Sequence, residues 1–245
     1  MADSLIQPDW PAPFNVKALF STRLGGVSPS PYDSLNLGDH VGDRLENVTV
    51  NRQILTNTAE LPDKPLWLRQ THSTTVVDSQ RWQAGIEADA IFSTQPNHIC
   101  VVMTADCLPV LLCDKQGRQV AAIHAGWRGL CGGIIEQTVA RLNAAPEDLL
   151  AWLGPAIGPA QFEVGAEVRD AFMAESAAAV NAFLPAKPGH YLADIYTLAR
   201  LRLQRCDIRN VYGGGYCTVS QPELFFSYRR DGVTGRMTSL IWLAP

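Results

Sequence analysis

Between residues 99 and 125 three apolar runs, ICVVMTA, LPVLLCD and QVAAIHA, follow one another with only a few polar or turn-forming residues between them. Each is too short for a core helix and rich in Val, Ile, Leu and Ala, which predicts buried strands. PLWLRQ, TTVVDS, LLAWLG, NVYGGGYC, FFSYRR and MTSLIWLA extend the pattern to nine predicted strands. Apolar residues at helical spacing occur in three stretches: 129–142 (Ile134, Ile135, Thr138, Val139, Leu142), 166–184 (Val168, Phe172, Ala179, Phe183) and 192–205 (Ile195, Leu198, Leu201, Leu203). Many strands are joined by hairpin-length connections such as DKQGR and DGVTGR. This predicts an α+β fold of mixed, mostly antiparallel sheets with flanking helices, and not a doubly wound parallel sheet. No repeat, low-complexity tract or long linker divides the chain, so residues 1–245 are expected to form a single domain.

The segment LPVLLCDKQGRQVAAIHA carries the first candidate chemistry. Gly117 in the pair Gln116-Gly117 can supply the positive φ of a two-residue turn. Strands folded about that pair set Lys115 against Arg118 and Pro109 against His124. Side chains two residues apart share a face, so Cys107 points the same way as His124 and becomes its diagonal neighbour. Diagonal Cα atoms lie ~7–8 Å apart with converging side chains, which permits two ligands of one metal or a thiol–imidazole hydrogen bond. A core cysteine beside a strand-end histidine is the ordinary alternative. The AGWRGLCGG that follows places a strand end, a glycine turn and a helix in succession, a geometry that leaves backbone N–H groups for an anion.

Composition narrows the function classes. The chain is 47% hydrophobic and 18% charged, and no apolar run approaches the ~18 residues of a membrane span. A net charge of −4, with Lys and Arg scattered singly, offers no basic stripe for nucleic acid. The opening MADSLIQPDWPAPFNV lacks early Lys or Arg and a continuous apolar segment, so no secretory or transit signal is read and a cytoplasmic protein is expected. Six cysteines (Cys100, Cys107, Cys113, Cys131, Cys206, Cys217) form no CxxC pair and are expected as reduced thiols, five of them small buried hydrophobes and Cys107 the exception. Neither GxxxxGK[ST] nor a strand-to-helix GxGxxG is present, which removes P-loop and Rossmann nucleotide binding.

The blocks STRLGGVS, SLNLGDHVGD, Asn51-Arg52, ADAIFS, MTADCLPVLL, HAGWRG, GPAIGPAQFEVG and FFSYRRDGVTGR together resemble the laccase-domain family, the YfiH-type multicopper polyphenol oxidases assigned as purine nucleoside phosphorylases. The resemblance runs from about residue 20 to 243. It implies a metal, usually zinc, held by His72, Cys107 and His124; His72 enters through the resemblance alone. The family commonly has glycine after that histidine, where this chain has Ser73. A fold of the cytotoxic necrotizing factor catalytic-domain type is also implied.

The implied reaction is phosphorolysis of adenosine, inosine, guanosine and methylthioadenosine, with adenosine deamination at the same site. Small-molecule nucleoside and phosphate are then the partners. Cys107 and His124 are the candidate catalytic pair, and three protein ligands leave a tetrahedral ion one open position, as in catalytic zinc sites. Phosphate calls for arginine forks, for which Arg23, Arg128 and Arg229 are the candidates, with Asn36 and Tyr228 as further sugar or base contacts. Two rivals use the same residues. One is a cysteine hydrolase or amidase editing peptidoglycan precursors, with Cys107 as nucleophile and His124 as base. The other is a copper polyphenol oxidase, since two histidines and a cysteine resemble a copper ligand set. The chain's five histidines are too few for a blue site plus a trinuclear cluster. A scaffold with a structural zinc is the non-enzymatic reading.

Overall fold

The computed structural model describes residues 4–245. In chain order the strands are β1 (Leu5–Ile6), β2 (Val16–Ser21), β3 (Val76–Asp78), β4 (Ala90–Ser93), β5 (Cys100–Thr104), β6 (Leu108–Asp114), β7 (Val120–Ala125), β8 (Leu149–Leu153), β9 (Glu163–Gly165), β10 (Phe183–Pro185), β11 (His190–Ala193), β12 (Asn210–Gly213) and β13 (Met237–Leu243). The helices are α1 (Leu45–Thr58), α2 (Trp127–Gly132), α3 (Ile134–Val139), α4 (Ala166–Glu175), α5 (Ile195–Arg205) and α6 (Tyr228–Asp231). None of the described helices is long and apolar enough to cross a membrane.

Three sheets form, with orders β12-β8-β6-β7-β4-β3, β1-β2-β13-β5 and β10-β11-β9. Among the strands of the described residues only β12 with β8 and β3 with β4 pair in parallel, so the architecture is the α+β, mostly antiparallel one that the strand pattern predicts. Every residue of β6 and β7 is buried, because the six-stranded sheet is covered on both faces. Leu108, Val110 and Leu112 pack with Ile123, Ile134 and Leu198 towards α3 and α5. Leu111, Cys113 and Ala122 face Cys100, Val102, Met237 and Ile241 of the four-stranded sheet. The outer face of that sheet, through Val101, Leu240 and Trp242, packs on Leu55 of α1. The order of layers is therefore helices, sheet, sheet, helix.

The β6–β7 hairpin has the predicted register, with Pro109 opposite His124, and Gly117 in the turn has φ 62°. Several expectations are corrected. PLWLRQ forms no strand and makes only isolated bridges at Leu66 and Arg69. FFSYRR is not a strand either: Phe225 and Phe226 are core residues of a loop, and Ser227, whose hydroxyl accepts from Arg230 N at 3.2 Å, caps the short α6. DGVTGR then joins α6 to β13 and is no hairpin. NVYGGGYC stops being a strand at Gly213 because Gly213 and Gly214 have φ of 73° and 86°. Gly133, at φ 93°, splits the predicted 129–142 helix into α2 and α3. The 166–184 helix ends at Glu175, a 3₁₀ turn spans Ala177–Ala182, and β10 follows. Asp194 starts α5 by accepting from the amides of Tyr196 and Thr197, leaving residues 190–193 to β11. The 45–58 helix escapes the periodicity because only Val48, Asn51 and Leu55 are buried, and one of these is polar.

Candidate metal centre and active site

β5 belongs to one sheet and β6 to the next, so residues 105–107 must cross between them. Asp106 makes that crossing at φ 89°. Its carboxylate accepts from Thr218 Oγ1 and from the amide of Arg229, both at 2.6 Å, and its carbonyl accepts from Ile157 N at 2.9 Å. These bonds hold the left-handed turn that delivers Cys107 to the end of the sandwich, where His124 closes β7.

His72 reaches the same point from the loop before β3. Its φ of 60° is unusual for a side chain with a Cβ. Asp89, fully buried just before β4, over-determines it. The Asp89 carboxylate accepts from the consecutive amides of Thr71 (3.2 Å), His72 (3.0 Å) and Ser73 (2.6 Å) and from the Ser73 hydroxyl (2.7 Å). The same carboxylate takes His124 Nδ1–H at 2.7 Å. One buried group thus sets the backbone of one histidine and the ring of the other, and directs His124 Nε2 away from itself. Ser73, in the position where glycine was the expectation, contributes two of these donors.

The ligand atoms of His72, Cys107 and His124 all lie within 4.8 Å of one another, and Cys107 Sγ is 3.8 Å from His72 Nε2. Ligands on a tetrahedral ion at ~2.0–2.3 Å stand about 3.5 Å apart. Gly126 forms the floor: a Cβ there would come 2.9 Å from His72 Cδ2, 3.1 Å from Cys107 Sγ and 3.5 Å from His124 Nε2. Two imidazoles and a thiol converging over a glycine, with the carboxylate behind, fit a borderline-soft divalent metal such as zinc. Gly126 has φ −60° and ψ 155°, which alanine also adopts. Gly126→Ala is therefore expected to leave the melting temperature close to wild type and to weaken metal affinity about tenfold or more, measured by competition with a chromophoric chelator.

Electrostatics follow the same geometry. Burial would raise Asp89, but the His124 ring and the Ser73 donors hold its carboxyl down at about 2. Burial would lower His124, yet the Cys107 sulfur and Asp89 lift it to about 9. Burial opposes ionisation of Cys107 as well, and His124 and His72 overcome it and bring the thiol to about 6. Burial pushes the core thiol Cys113 up to about 12 and raises Cys100, and it also raises Cys206, to about 11, and Cys131; these last two are half-buried like Cys217, so only Cys100 and Cys113 of the five are the buried hydrophobes expected. Cys217 is lowered against its burial by hydrogen bonds from Ser220 and the Gly158 amide.

Two cavities meet at the triad and share His72, Ala105, Cys107 and Tyr228 as walls. The larger, about 400 Å³, continues along Gln70, Thr104 and Arg236. The smaller, about 260 Å³, continues along Trp127, Ile157 and Phe162, with Arg128 and Arg229 beside it. Arg128 lies over the Trp127 ring at 4.5 Å, and Arg229 Nη1 donates to the carbonyl of Glu163 at 2.9 Å. Arg23 lines neither cavity: it donates to Asp33 O (2.8 Å) and Pro222 O (3.0 Å) and clamps two loops. Asn36 is fully buried, its Oδ1 accepting from the amides of Gly38 and Arg236. His98 bonds Ser79 and His190 bonds Pro188 O, so neither joins the triad. Asp89, Asp106, Gly126 and Arg236 escaped the sequence reading. Asp89 stands inside the ADAIFS block, but nothing local announces that its carboxylate closes around residues 71–73.

The family profile described as multi-copper polyphenol oxidoreductase laccase matches residues 17–244. The purine nucleoside phosphorylase YfiH of Escherichia coli (strain K12) is 55% identical over 240 residues, 98% of each chain. The Pseudomonas aeruginosa purine nucleoside phosphorylase is 53% identical over 239 residues, 97% of this chain and 98% of its own. A crystal structure of a Neisseria meningitidis protein superposes with a TM-score of 0.96 at 51% identity, covering 99% of this chain and 100% of the other. YlmD from Geobacillus stearothermophilus superposes at 0.90 with 28% identity, covering 100% and 98%. With its match running almost from end to end, the chain belongs to the multi-copper polyphenol oxidoreductase laccase family, alongside relatives named as purine nucleoside phosphorylases.

Proposed function

We propose that this protein is a zinc-dependent purine nucleoside phosphorylase acting on adenosine, inosine, guanosine and methylthioadenosine, with adenosine deamination as a second activity of the same site. The observation that carries the reading is the meeting of His72, Cys107 and His124 at the junction of two cavities, one walled by Trp127, Phe162, Arg128 and Arg229 and the other ending on Arg236. A zinc ion held by His72, Cys107 and His124 would supply a Lewis acid. The chain's own residues do the rest. Trp127 and Phe162 offer flat apolar surface to a purine. Arg128 and Arg229 bring positive charge to the same cavity, and Tyr228, 61% exposed at the shared wall, can reach the sugar between them. Asp89 keeps both histidines in place while substrates exchange.

The test is direct. Purified protein with its zinc counted is expected to release adenine from adenosine only when phosphate is supplied, with ribose 1-phosphate as the second product. Activity that ignores phosphate, or that survives complete removal of the metal, overturns the proposal.

One observation favours a second reading. Asp89, His124 and Cys107 stand in the order of an orienting acid, a base and a thiol nucleophile, which suits a cysteine hydrolase. That arrangement has no use for His72, whose imidazole faces the same sulfur. Alkylation separates the two. Metal-free protein is expected to react with iodoacetamide at Cys107 at a rate that rises with pH to a plateau, with its midpoint near pH 6 where an ordinary thiol titrates at about 8.5. Zinc-loaded protein is expected to resist. Equal alkylation with and without metal supports the hydrolase.

A further inference from the structure

The two cavities at the triad differ in the chemistry of their far walls. The smaller one offers the aromatic and aliphatic surface of Trp127, Phe162, Ile157 and Ile195, which suits a heterocycle, with Arg128 lying over the Trp127 ring and Arg229 held on the carbonyl of Glu163 at its side. The larger one ends on Arg236, a half-buried cation. Its Nη1 donates to the carbonyls of Thr234 (3.1 Å) and Gly235 (3.0 Å), and no carboxylate among the described residues pairs with it. A guanidinium has five N–H donors, so most of the fork is left for the cavity. The stem is held firmly. Asn36 Oδ1 accepts from the Arg236 amide at 2.9 Å, and a Cβ on Gly38 would come 2.7 Å from Arg236 Cγ.

A second group points the same way. Thr104 lines this cavity, is 2% exposed, and its hydroxyl is buried with no hydrogen-bond partner among the described residues. Cys107 and Asp106 act on this cation through space without an ion pair to its fork, and a small oxyanion would give both the unfilled donors and the orphaned hydroxyl a bonded partner. Of the three arginines first expected to hold phosphate, Arg23 lines neither cavity, while Arg128 over Trp127 and Arg229 on Glu163 O line the smaller one, so Arg236 is the arginine of the larger cavity.

We propose that the Arg236 cavity, with the Thr104 hydroxyl, is the phosphate subsite, and that the purine lies in the opposite cavity against Trp127 and Phe162. The assignment rests on the phosphorylase reading and departs from the expectation of Arg23, Arg128 and Arg229 as phosphate ligands. It places the reacting sugar carbon at the shared wall of His72, Cys107 and Tyr228. A phosphate oxygen forms the new bond to C1′ as the C1′–N bond breaks. The purine leaves with that electron pair and takes up the proton that hydrogen phosphate gives up.

Steady-state phosphorolysis by the zinc-loaded enzyme, with phosphate and adenosine varied separately, tests the assignment. Arg236→Gln is expected to raise the KM for phosphate about tenfold or more while the KM for adenosine stays within about twofold. Arg236→Lys should recover part of the loss, and Thr104→Val, nearly isosteric, should raise only the phosphate KM. Trp127→Ala should do the reverse and raise only the adenosine KM. An unchanged phosphate KM in both Arg236→Gln and Thr104→Val, or equal rises in both constants, overturns the assignment. Isothermal titration of inorganic phosphate into wild type and Arg236→Gln keeps the two proposals apart. Wild type with no phosphate-dependent turnover defeats the phosphorylase reading. Phosphate that binds both proteins equally, or binds neither, defeats the subsite.

Discussion

Asp89→Asn is expected to destabilise the protein by about 3 kcal/mol or more and to weaken zinc retention about 10- to 100-fold, read by denaturant unfolding and by metal content after dialysis. The carboxylate is fully buried and serves the amides of residues 71–73, the Ser73 hydroxyl and His124 Nδ1. An amide in its place turns an acceptor edge into a donor edge and sets N–H against N–H. His72 then has no reason to remain at φ 60°, and the His124 ring loses the bond that orients it. The sign of the pH effect is fixed by the folded state. Asp89 titrates lower in the protein than in an unfolded chain, so its contribution is present above about pH 4 and fades as pH falls towards 2. The variant should show a flatter stability profile across that window. Ser73→Ala removes one hydroxyl donor and leaves the amides in place, so its cost should be about 1 kcal/mol. Equal costs for the two variants would show that the carboxylate does not hold the loop.

The second large effect is expected at Cys107. Cys107→Ala should lower kcat/KM for phosphorolysis by about a thousandfold or more, with the zinc-to-protein ratio falling well below one. On the proposed function, phosphorolysis and deamination should decline together, because both would depend on the same three residues. Secondary structure and melting temperature should hold, since Cys107 is half-buried at the rim of two cavities and is no part of the core. A nucleophilic role predicts another pattern, in which activity is lost in the variant while chelation leaves wild type untouched. Full zinc occupancy with full phosphorolysis in Cys107→Ala would remove the sulfur from the site altogether.

Much of this was legible in the chain because it is local. The β6–β7 hairpin needs only a glycine turn and the two-residue period of a strand, and those two features put Cys107 beside His124. The strands at 100–104, 149–153 and 237–243 were legible because buried strands are largely continuous apolar runs. FFSYRR misled because aromatic residues mark burial as readily as they mark strands. Phe225 and Phe226 fill the space between the sheets from a loop, and Ser227 then caps a helix.

By itself, then, the sequence determined the mixed strand-rich class, the hairpin register and the pairing of one thiol with one imidazole, all of which follow from neighbours along the chain or from side-chain period. His72 joined that pair by resemblance to a family, since no rule of spacing brings a loop histidine 35 residues from Cys107 to the same sulfur. Only the tertiary structure decided how it arrives there, through a buried carboxylate closing on three amides of another loop. It likewise decided that the cation facing the larger cavity is Arg236, whose amide is held by Asn36 from 200 residues away. Contacts of that kind depend on which layers pack together, and packing is a property of the whole fold that no local pattern encodes.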